Sequence, residues 1–116
     1  MPLLKIHTSK SLPEADAQAL LTSLSAELAS LLHKPESYVM TCLAGPTHLT
    51  FGGSSEPSCL VEVANIGTLK GSDTERLSAA LCQRLSDTLG VSSDRIYVIF
   101  EDVERHMWGH DGHTFG

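Results

Sequence analysis

Pro2 is the residue best suited to acid–base chemistry, because it follows Met1 at the start of an apolar run over residues 2–6. A small second residue usually lets the initiator methionine be removed, and Pro2 would then carry a secondary amine at the N-terminus. An ordinary α-amino group titrates near about 7.7–8.0, and both an apolar pocket and a nearby cation lower that pKa. A neutral amine near pH 7 is a competent proton shuttle, so the N-terminus predicts general acid–base catalysis.

Three histidines near the C-terminus have a spacing that suggests a metal site, because His106, His110 and His113 are four and three residues apart. Histidines at such intervals on one face of a helix can bind zinc. Gly109 and Gly112 interrupt the segment, however, and glycine disfavours a long helix. We therefore expect an exposed loop that carries histidines, with no bound metal and no other cofactor.

Two further groups of residues predict no site. Gly52-Gly53-Ser54-Ser55 is similar to a phosphate-binding loop, but the continuation GxxxxGKS or GxxxxGKT is missing and Glu56 has the wrong charge. The cysteines Cys42, Cys59 and Cys82 are odd in number, widely spaced and free of any CxxC pair. That pattern favours buried free thiols over a disulfide framework, a zinc knuckle or a redox pair.

The length and charge of the chain limit its class of partner. Its 116 residues suffice for one domain with one modest core, and 8 Lys and Arg against 14 Asp and Glu give a net charge of −6. The lack of a basic stripe argues against nucleic acid and against an anionic membrane surface. No apolar run reaches the roughly 18 residues of a membrane span, and no secretory signal is visible. We expect a cytoplasmic protein, or one exported by a route that the sequence does not show.

Strands and helices alternate around Pro2. Strand-like runs cover residues 2–8, 38–43, 59–66 and 96–100, and two sets of leucines at helical spacing mark two helices: Leu20, Leu24, Leu28, Leu31 and Leu32, then Leu77, Leu81, Leu85 and Leu89. The first helix begins near Pro13 and stops at Lys34-Pro35, because proline excludes the α conformation from the residue before it. Gly90 ends the second helix.

An internal repeat follows from these leucines. A shift of 57 positions places Leu20 on Leu77, and a shift of 59 places Tyr38 on Tyr97. We therefore expect a single domain, residues 1–116, made of two β-α-β pseudo-repeats over approximately 2–45 and 58–101. A long crossover helix makes the strands of each unit parallel, with a right-handed connection. The predicted fold is of the α/β (α+β) class, with both helices on one face of a four-stranded sheet.

The other face of this sheet is expected to carry Val and Ile side chains that nothing else in the chain covers. Uncovered apolar faces of this kind mark sites of association. Symmetric homo-oligomers dominate among soluble assemblies. The sequence therefore predicts association with other copies of the same chain, most simply as a closed ring.

Six short motifs resemble those of the macrophage migration inhibitory factor family and its bacterial relatives, which are members of the tautomerase superfamily. They are Pro2 at the start, Lys34-Pro35-x-x-Tyr38, the FGGSSEP segment over residues 51–57, Asn65-Ile66-Gly67, Asp94-Arg95-Ile96-Tyr97 and Thr114-Phe115. The resemblance runs nearly from end to end. The FGGSSEP segment, in combination with the other motifs, makes it highly specific.

The resemblance implies a fold and a function. The fold is a homotrimer of β-α-β-β-α-β subunits with short C-terminal strands, and its active sites lie between subunits. The function is cofactor-independent tautomerisation of phenylpyruvate, a small aromatic α-keto acid, and in many members isomerisation of dopachrome derivatives.

The same resemblance implies a role for five residues of this sequence. Pro2 is the catalytic proton shuttle. Lys34 pairs with the substrate carboxylate and lowers the pKa of Pro2. The backbone N–H of Ile66 donates a hydrogen bond to substrate. Tyr97 is contributed to the pocket by the neighbouring subunit, and Tyr38 lies near the mouth of the pocket.

The chain departs from the family pattern within the pocket. Ile99 stands where the animal cytokines have an asparagine, so one polar contact to substrate is lost. His110 stands at the position of a pocket tryptophan, and Trp108, two residues earlier, fills in for it. We expect the substrate ring to pack against Ile99, Trp108 and Phe115.

Other departures concern the signalling role of the animal members. Ser58 and Val61 replace the two cysteines of the mammalian CxxC, so thiol–disulfide oxidoreductase activity is not implied. Pro46 stands where an acidic loop residue would be, and the receptor-binding determinants do not map onto this chain. The alternative to a tautomerase is a cytokine-like signalling or binding protein with a weak or vestigial pocket, whose receptor is unknown.

Overall fold

A mixed sheet of four strands forms the centre of the computed structural model, which describes residues 1–116. The strands are β1 (Pro2–Thr8), β2 (Met40–Ala44), β3 (Cys59–Ile66) and β4 (Ile96–Val103), and the helices are α1 (Glu14–Leu32) and α2 (Gly71–Leu89). Two short strands, β5 (Gly109–His110) and β6 (His113–Thr114), form a separate hairpin near the C-terminus. Both helices fall short of the combined length and apolarity that crossing a membrane requires.

The strands lie in the order β2-β1-β3-β4. β1 pairs with β2 and β3 with β4 in parallel, and each helix connects one of these pairs, which confirms the predicted β-α-β units. β1 and β3 pair in antiparallel fashion, so that Pro2 lies opposite Asn65. The start of β1 therefore lies beside the ends of β3 and β4, and this edge of the sheet positions the site described below.

The core fills the space between the sheet and the helices. Alternate residues of β1 and β3 are fully buried there, and the predicted leucine stripes of both helices pack on them; the central members are Leu4, Ile6, Val61, Val63, Leu24, Leu28, Leu77 and Leu85. Because strand side chains alternate between the two faces, this packing decides which residues are left on the opposite face.

The opposite, open face differs from the predicted one. Val61, Val63 and Val98 face the helices, so the expected Val and Ile surface is reduced to Ile99 and Val103, which share one face of β4 by strand alternation. The largest exposed apolar side chains on this face are Met40, Ile99 and Tyr97. Between them Lys5 and Glu62, which are paired in register, form an ion pair at 3.7 Å. The open face is thus part apolar and part charged.

The end of α1 fixes the position of Lys34. His33 adopts the left-handed conformation with φ of 54°, and the Lys34 N–H donates to the Ala29 carbonyl at 3.0 Å. The helix therefore ends at Leu32, three residues before Pro35, close to the predicted stop at Lys34-Pro35. α2 ends in the same way at Gly90, whose φ is 69°. A left-handed residue is a common helix terminator because it lets the last carbonyls keep hydrogen-bond partners.

Two local expectations are corrected. Tyr38 does not begin a strand, because the Tyr38 N–H donates to the Pro35 carbonyl at 3.2 Å and closes a single 3-10 turn; the strand begins at Met40. All three cysteines are free, but only Cys59 is buried. Cys42 is exposed because it lies opposite Lys5 on the open face of the edge strand β2.

Candidate active site

A cleft of about 880 Å³ opens at the edge of the sheet where β1 starts and where β3 and β4 end. Its lining includes Met1, Lys34, Tyr38, Ile66, Arg105 and Phe115. These residues come from the N-terminus, the end of α1, the turn before β2, the end of β3 and the C-terminal segment. Four of the predicted site residues, Lys34, Tyr38, Ile66 and Phe115, are thus brought together around the first residues of the chain.

The N-terminal amine of Met1 lies in this cleft, and its surroundings disfavour protonation. The pKa of the Met1 amine is lowered from its ordinary value, first because the amine is partly buried and second because of the positive charge of Lys34. Burial and a neighbouring cation both disfavour the charged form of an amine. The Pro2 side chain directly beneath it is fully buried, so the start of β1 is held in place.

The backbone N–H of Ile66 points at the same place. It donates to the Met1 carbonyl at 3.4 Å. Gly67 then turns the chain with φ of 119°, a conformation that favours glycine. The Asp102 carboxylate accepts the Leu69 N–H at 3.0 Å and holds the loop that follows. A strand end, a glycine turn and a side-chain hydrogen bond therefore fix the direction of this N–H group.

One side of the cleft carries an aromatic cluster that we call the aromatic wall: Tyr38 and Phe115 line the cleft, and His110 packs against both. The His110 and Phe115 rings stack at 5.8 Å with an interplanar angle of 15°, and Tyr38 meets both edge-on, at 5.8 and 6.1 Å. The family resemblance placed His110 at the position of a pocket tryptophan, and the structure puts its ring against Tyr38 and Phe115. His110 thus supports the two aromatic rings that line the cleft.

Trp108 does not line this cleft. Its carbonyl accepts the Phe115 N–H at 3.1 Å, which helps to hold the aromatic wall. Its side chain borders a neighbouring recess together with Leu3, Ala64 and Met107. Trp108 therefore supports Phe115 through the backbone.

Arg105 is a second cation at the cleft that sequence reasoning missed. Its Nε donates to the Phe115 carbonyl at 2.9 Å, which ties the C-terminal segment to the turn after β4. The one-turn helix Arg105–Met107 is too short for any hydrophobic period to reveal it. No sequence pattern predicted this hydrogen bond, because it depends on how two irregular segments pack against each other.

Tyr97 and Ile99 lie away from the cleft of their own chain. Both side chains are on the open face and are 62% and 55% exposed. Tyr97 is six residues before Val103, a cleft residue at the end of the same strand, and a strand rises about 3.3 Å per residue. Roughly 20 Å therefore separates these positions, and a single subunit does not bring Tyr97 to Lys34.

The FGGSSEP segment is held by Arg95. The guanidinium donates to four backbone carbonyls at 3.0–3.3 Å, those of Phe51, Ser54, Glu56 and Pro57. It also lies over the Phe51 ring at 5.4 Å, and Phe51 contacts Tyr97 with ring centroids 4.7 Å apart. The FGGSSEP and Asp94-Arg95-Ile96-Tyr97 motifs are therefore parts of one structural unit, which carries Tyr97 at its edge.

The histidines of the C-terminal segment are not gathered into a metal site. No three side chains of His, Cys, Asp or Glu come together in the chain in a way that could hold a metal ion. His106 instead faces Glu104 at 3.3 Å, and His110 belongs to the aromatic wall. His113 lies in the short strand β6, opposite His110 in the hairpin.

Comparison with known proteins gives one consistent result. The family model described as macrophage migration inhibitory factor (MIF) matches residues 1–116. The chain is 34% identical to macrophage migration inhibitory factor of Meriones unguiculatus over 118 residues, which cover 99% of each. It superimposes on the crystal structure of the homologue from Prochlorococcus marinus with a TM-score of 0.93 at 48% identity, covering 98% of this chain and 99% of that one. The Toxoplasma gondii protein gives a TM-score of 0.93 at 33% identity, covering 97% and 99%.

Proposed function

Because the chain belongs to the macrophage migration inhibitory factor family, we propose that it is a cofactor-independent keto–enol tautomerase of phenylpyruvate that works through Pro2. The observation that carries this proposal is the cleft in which the N-terminal amine and Lys34 face each other. An amine with a lowered pKa beside a fixed cation suits the removal of a proton from a carbon next to a carbonyl and a carboxylate.

Pro2 is the catalytic acid and base in this proposal. Removal of Met1 leaves the secondary amine of Pro2 at the floor of the cleft, where burial and the charge of Lys34 favour its neutral form, as they do for the Met1 amine. The neutral amine takes a proton from the carbon between the carbonyl and the ring. The protonated amine then gives that proton to the carbonyl oxygen, which yields the enol, and the same two transfers in reverse yield the keto form, so one residue serves both steps.

Lys34 and Ile66 bind the polar end of the substrate. The Lys34 ammonium pairs with the carboxylate, and the Ile66 N–H, which is free once Met1 is gone, donates to an oxygen of the substrate. Negative charge grows on the carbonyl oxygen as the proton leaves, and donors fixed before the reaction stabilise that charge without having to reorient.

The apolar end of the substrate packs on the aromatic wall. Tyr38 and Phe115 line the cleft and meet edge to face, and His110 stacks on Phe115, so the cleft offers aromatic edges and faces to a substrate ring. Phenylpyruvate has a planar ring at one end and a carboxylate at the other, which matches a cleft with an aromatic side and a cationic side. We expect dopachrome derivatives, which carry more polar groups on the ring, to be poorer substrates.

We further propose that the working form is a homotrimer whose sites are completed across subunit interfaces. Support comes from Tyr97 and Ile99, which are exposed on the open sheet face and stand roughly 20 Å and roughly 13 Å along the strand from the cleft residue Val103 of their own chain. A neighbouring subunit packed on that face would bring these two residues to the cleft of the next chain.

The test is an enzyme assay on protein whose N-terminus has been checked by mass spectrometry. Chains that begin at Pro2 should interconvert the enol and keto forms of phenylpyruvate above the buffer rate. Pro2→Gly should lower kcat/KM by about 10²–10⁴-fold, the usual contribution of a general acid–base group, without a change in the folded state. Pro13→Gly is the matched control, since Pro13 is an exposed proline before α1, and its kcat/KM should equal that of wild type.

Two results would contradict the proposal. One is a fully processed wild-type protein with no turnover above buffer, which would leave the binding-only alternative. The other is a Pro2→Gly variant that keeps wild-type kcat/KM.

A further inference from the structure

Asn65 holds a buried polar atom with no partner in the chain. The residue is 3% exposed, and its side-chain oxygen Oδ1 is fully buried without a hydrogen bond. Buried acceptors almost always have a partner, and leaving one unpaired destabilises a protein. A leucine at position 65 would bury no polar atom and would avoid this cost. The presence of asparagine there therefore indicates that a hydrogen-bond donor reaches Oδ1.

The position opposite this residue in the sheet is Pro2. The two are register partners in the β1–β3 pair. The hydrogen bond from the Ile66 N–H to the Met1 carbonyl lies just beyond them, so Pro2 and Asn65 form a non-hydrogen-bonded pair of the antiparallel ladder. Cα atoms in such pairs are about 4.5 Å apart, and their side chains are in close contact. Both side chains are buried on the helix side of the sheet.

The Pro2 nitrogen cannot donate while Met1 is attached. In that state it is the tertiary amide of an X–Pro bond and has no hydrogen. Loss of Met1 converts the same nitrogen into a secondary amine with one N–H when neutral and two when protonated. A donor thus arises opposite the unpaired acceptor, and it arises only in the processed chain.

We propose that Asn65 is a positioning residue for the Pro2 amine, and that its Oδ1 accepts a hydrogen bond from a Pro2 N–H once Met1 has been removed. This inference rests on the proposed function of Pro2. With one N–H held by Asn65, the remaining lone pair or N–H is directed into the cleft, where a proton is exchanged with the substrate. Asn65 also stabilises the protonated amine, which opposes the effect of burial and of Lys34.

Other charged and titratable groups face the amine and must be held constant in a test. They are Lys34 after α1, Tyr38 in the turn before β2, Asp102 at the end of β4, and Glu104, Arg105 and His106 after that strand. None of them is changed by substitution at position 65, so a difference between variants there reports the side chain of Asn65 itself.

The experiment is a direct titration of the amine by NMR in processed protein labelled with ¹⁵N-proline. Asn65→Ala removes the acceptor and should lower the pKa of Pro2 by about one unit, as loss of a hydrogen bond to a charged group does. Asn65→Asp replaces the neutral acceptor by a carboxylate and should raise it. Ser58→Ala is the matched control, because Ser58 is also buried with an unpaired side-chain oxygen but directly precedes β3, at the far end of that strand; its titration should match wild type.

The acidic limb of kcat/KM for phenylpyruvate should move in the same directions. An Asn65→Ala protein whose Pro2 amine titrates with wild type would overturn the proposal, and so would a shift of equal size in Ser58→Ala. If Asn65→Asp does not fold, Asn65→Ser, which keeps an acceptor oxygen, should fall between wild type and the alanine variant. The NMR titration needs no turnover, so its failure is distinguishable from failure of the proposed enzyme activity.

Discussion

In the proposed mechanism, Lys34 acts on the substrate and on the catalytic amine at once. It follows the end of helix α1, lines the cleft and contributes to the lowered pKa of the N-terminal amine. A lysine before a proline is normally only a solvated helix end, and here the left-handed His33 turns it back toward the start of β1. The two effects of this side chain are separable by pH.

We expect Lys34→Ala to raise the pKa of the processed amine, since removing a nearby cation makes protonation easier. The acidic limb of kcat/KM should move to higher pH because the base is then neutral only at higher pH. Loss of the pair with the substrate carboxylate should also lower kcat/KM by about 10- to 150-fold at the plateau. A pH–rate profile measures both effects. Lys10→Ala, an exposed lysine after β1, should leave the profile unchanged, and an unmoved limb in Lys34→Ala would refute the electrostatic role.

Ile99 sets a preference between substrates in the proposed trimer. An isoleucine gives no hydrogen bond to a hydroxyl on the substrate ring, and a buried unpaired polar group costs about 1–3 kcal/mol. Hydroxylated substrates should therefore be slower than phenylpyruvate by about 5- to 150-fold. The ratio of kcat/KM for phenylpyruvate and its 4-hydroxy analogue, measured before and after Ile99→Asn, checks this. A wild type that prefers the hydroxylated substrate, or a ratio that Ile99→Asn leaves unchanged, would contradict it.

At the scale of elements, the loop over residues 51–57 depends on Arg95. Replacing it by lysine keeps the charge but removes the planar set of donors that reaches four carbonyls. We expect Arg95→Lys to lower the free energy of unfolding by about 1–3 kcal/mol, measured by urea denaturation at one fixed protein concentration.

The control for this prediction is Arg76→Lys. Arg76 pairs with Asp73 on the exposed surface of α2 at 2.9 Å, and exposed pairs contribute little to stability. Its urea midpoint should stay close to that of wild type. If Arg95→Lys and Arg76→Lys unfold together, the carbonyl contacts of Arg95 do not stabilise the fold.

The helices and strands were predictable because their signals are local. Leucines three and four residues apart, and Lys34-Pro35 or Gly90 as stops, require no knowledge of distant residues. The hydrogen bonds of Arg95 join residues about forty positions apart, and no spacing pattern in the sequence predicts them. The open face was mispredicted for a related reason, since the face to which the valines point is decided by pairing between strands.

The residues of the candidate site also divide into those that the sequence predicted and those that it did not. The motifs carried by the family resemblance identified Lys34, Tyr38, Ile66 and Phe115, and the structure places them around one cleft. Arg105 was missed because it reaches the cleft through an irregular segment after β4. Asn65 belongs to the Asn65-Ile66-Gly67 motif, but its proposed role depends on strand register and burial, which a single sequence does not show.

At the scale of the whole molecule, the exposed apolar side chains on the open face predict association between copies of the chain. Met40, Tyr97 and Ile99 are large and exposed on it, and burying a few hundred Å² of such surface is worth several kcal/mol at roughly 25 cal/mol per Å². We expect light scattering at micromolar concentration to give three times the mass of one chain. The Lys5–Glu62 pair on the same face makes the assembly selective, since a charged pair is poorly matched by a purely apolar partner. A monomeric mass under these conditions would refute the trimer and the shared sites with it.

The hydrogen bond between the Met1 carbonyl and the Ile66 N–H has a consequence for when activity begins. While that bond exists, Met1 both ties up the nitrogen of Pro2 in an amide and satisfies the N–H that the proposed mechanism needs for substrate. One peptide-bond cleavage releases both groups and leaves the strands and helices as they are. In the proposed mechanism, a folded chain that keeps Met1 is therefore inactive. The tautomerase activity in a cell would then be proportional to the number of chains that have lost Met1, and not to the total number of chains synthesised.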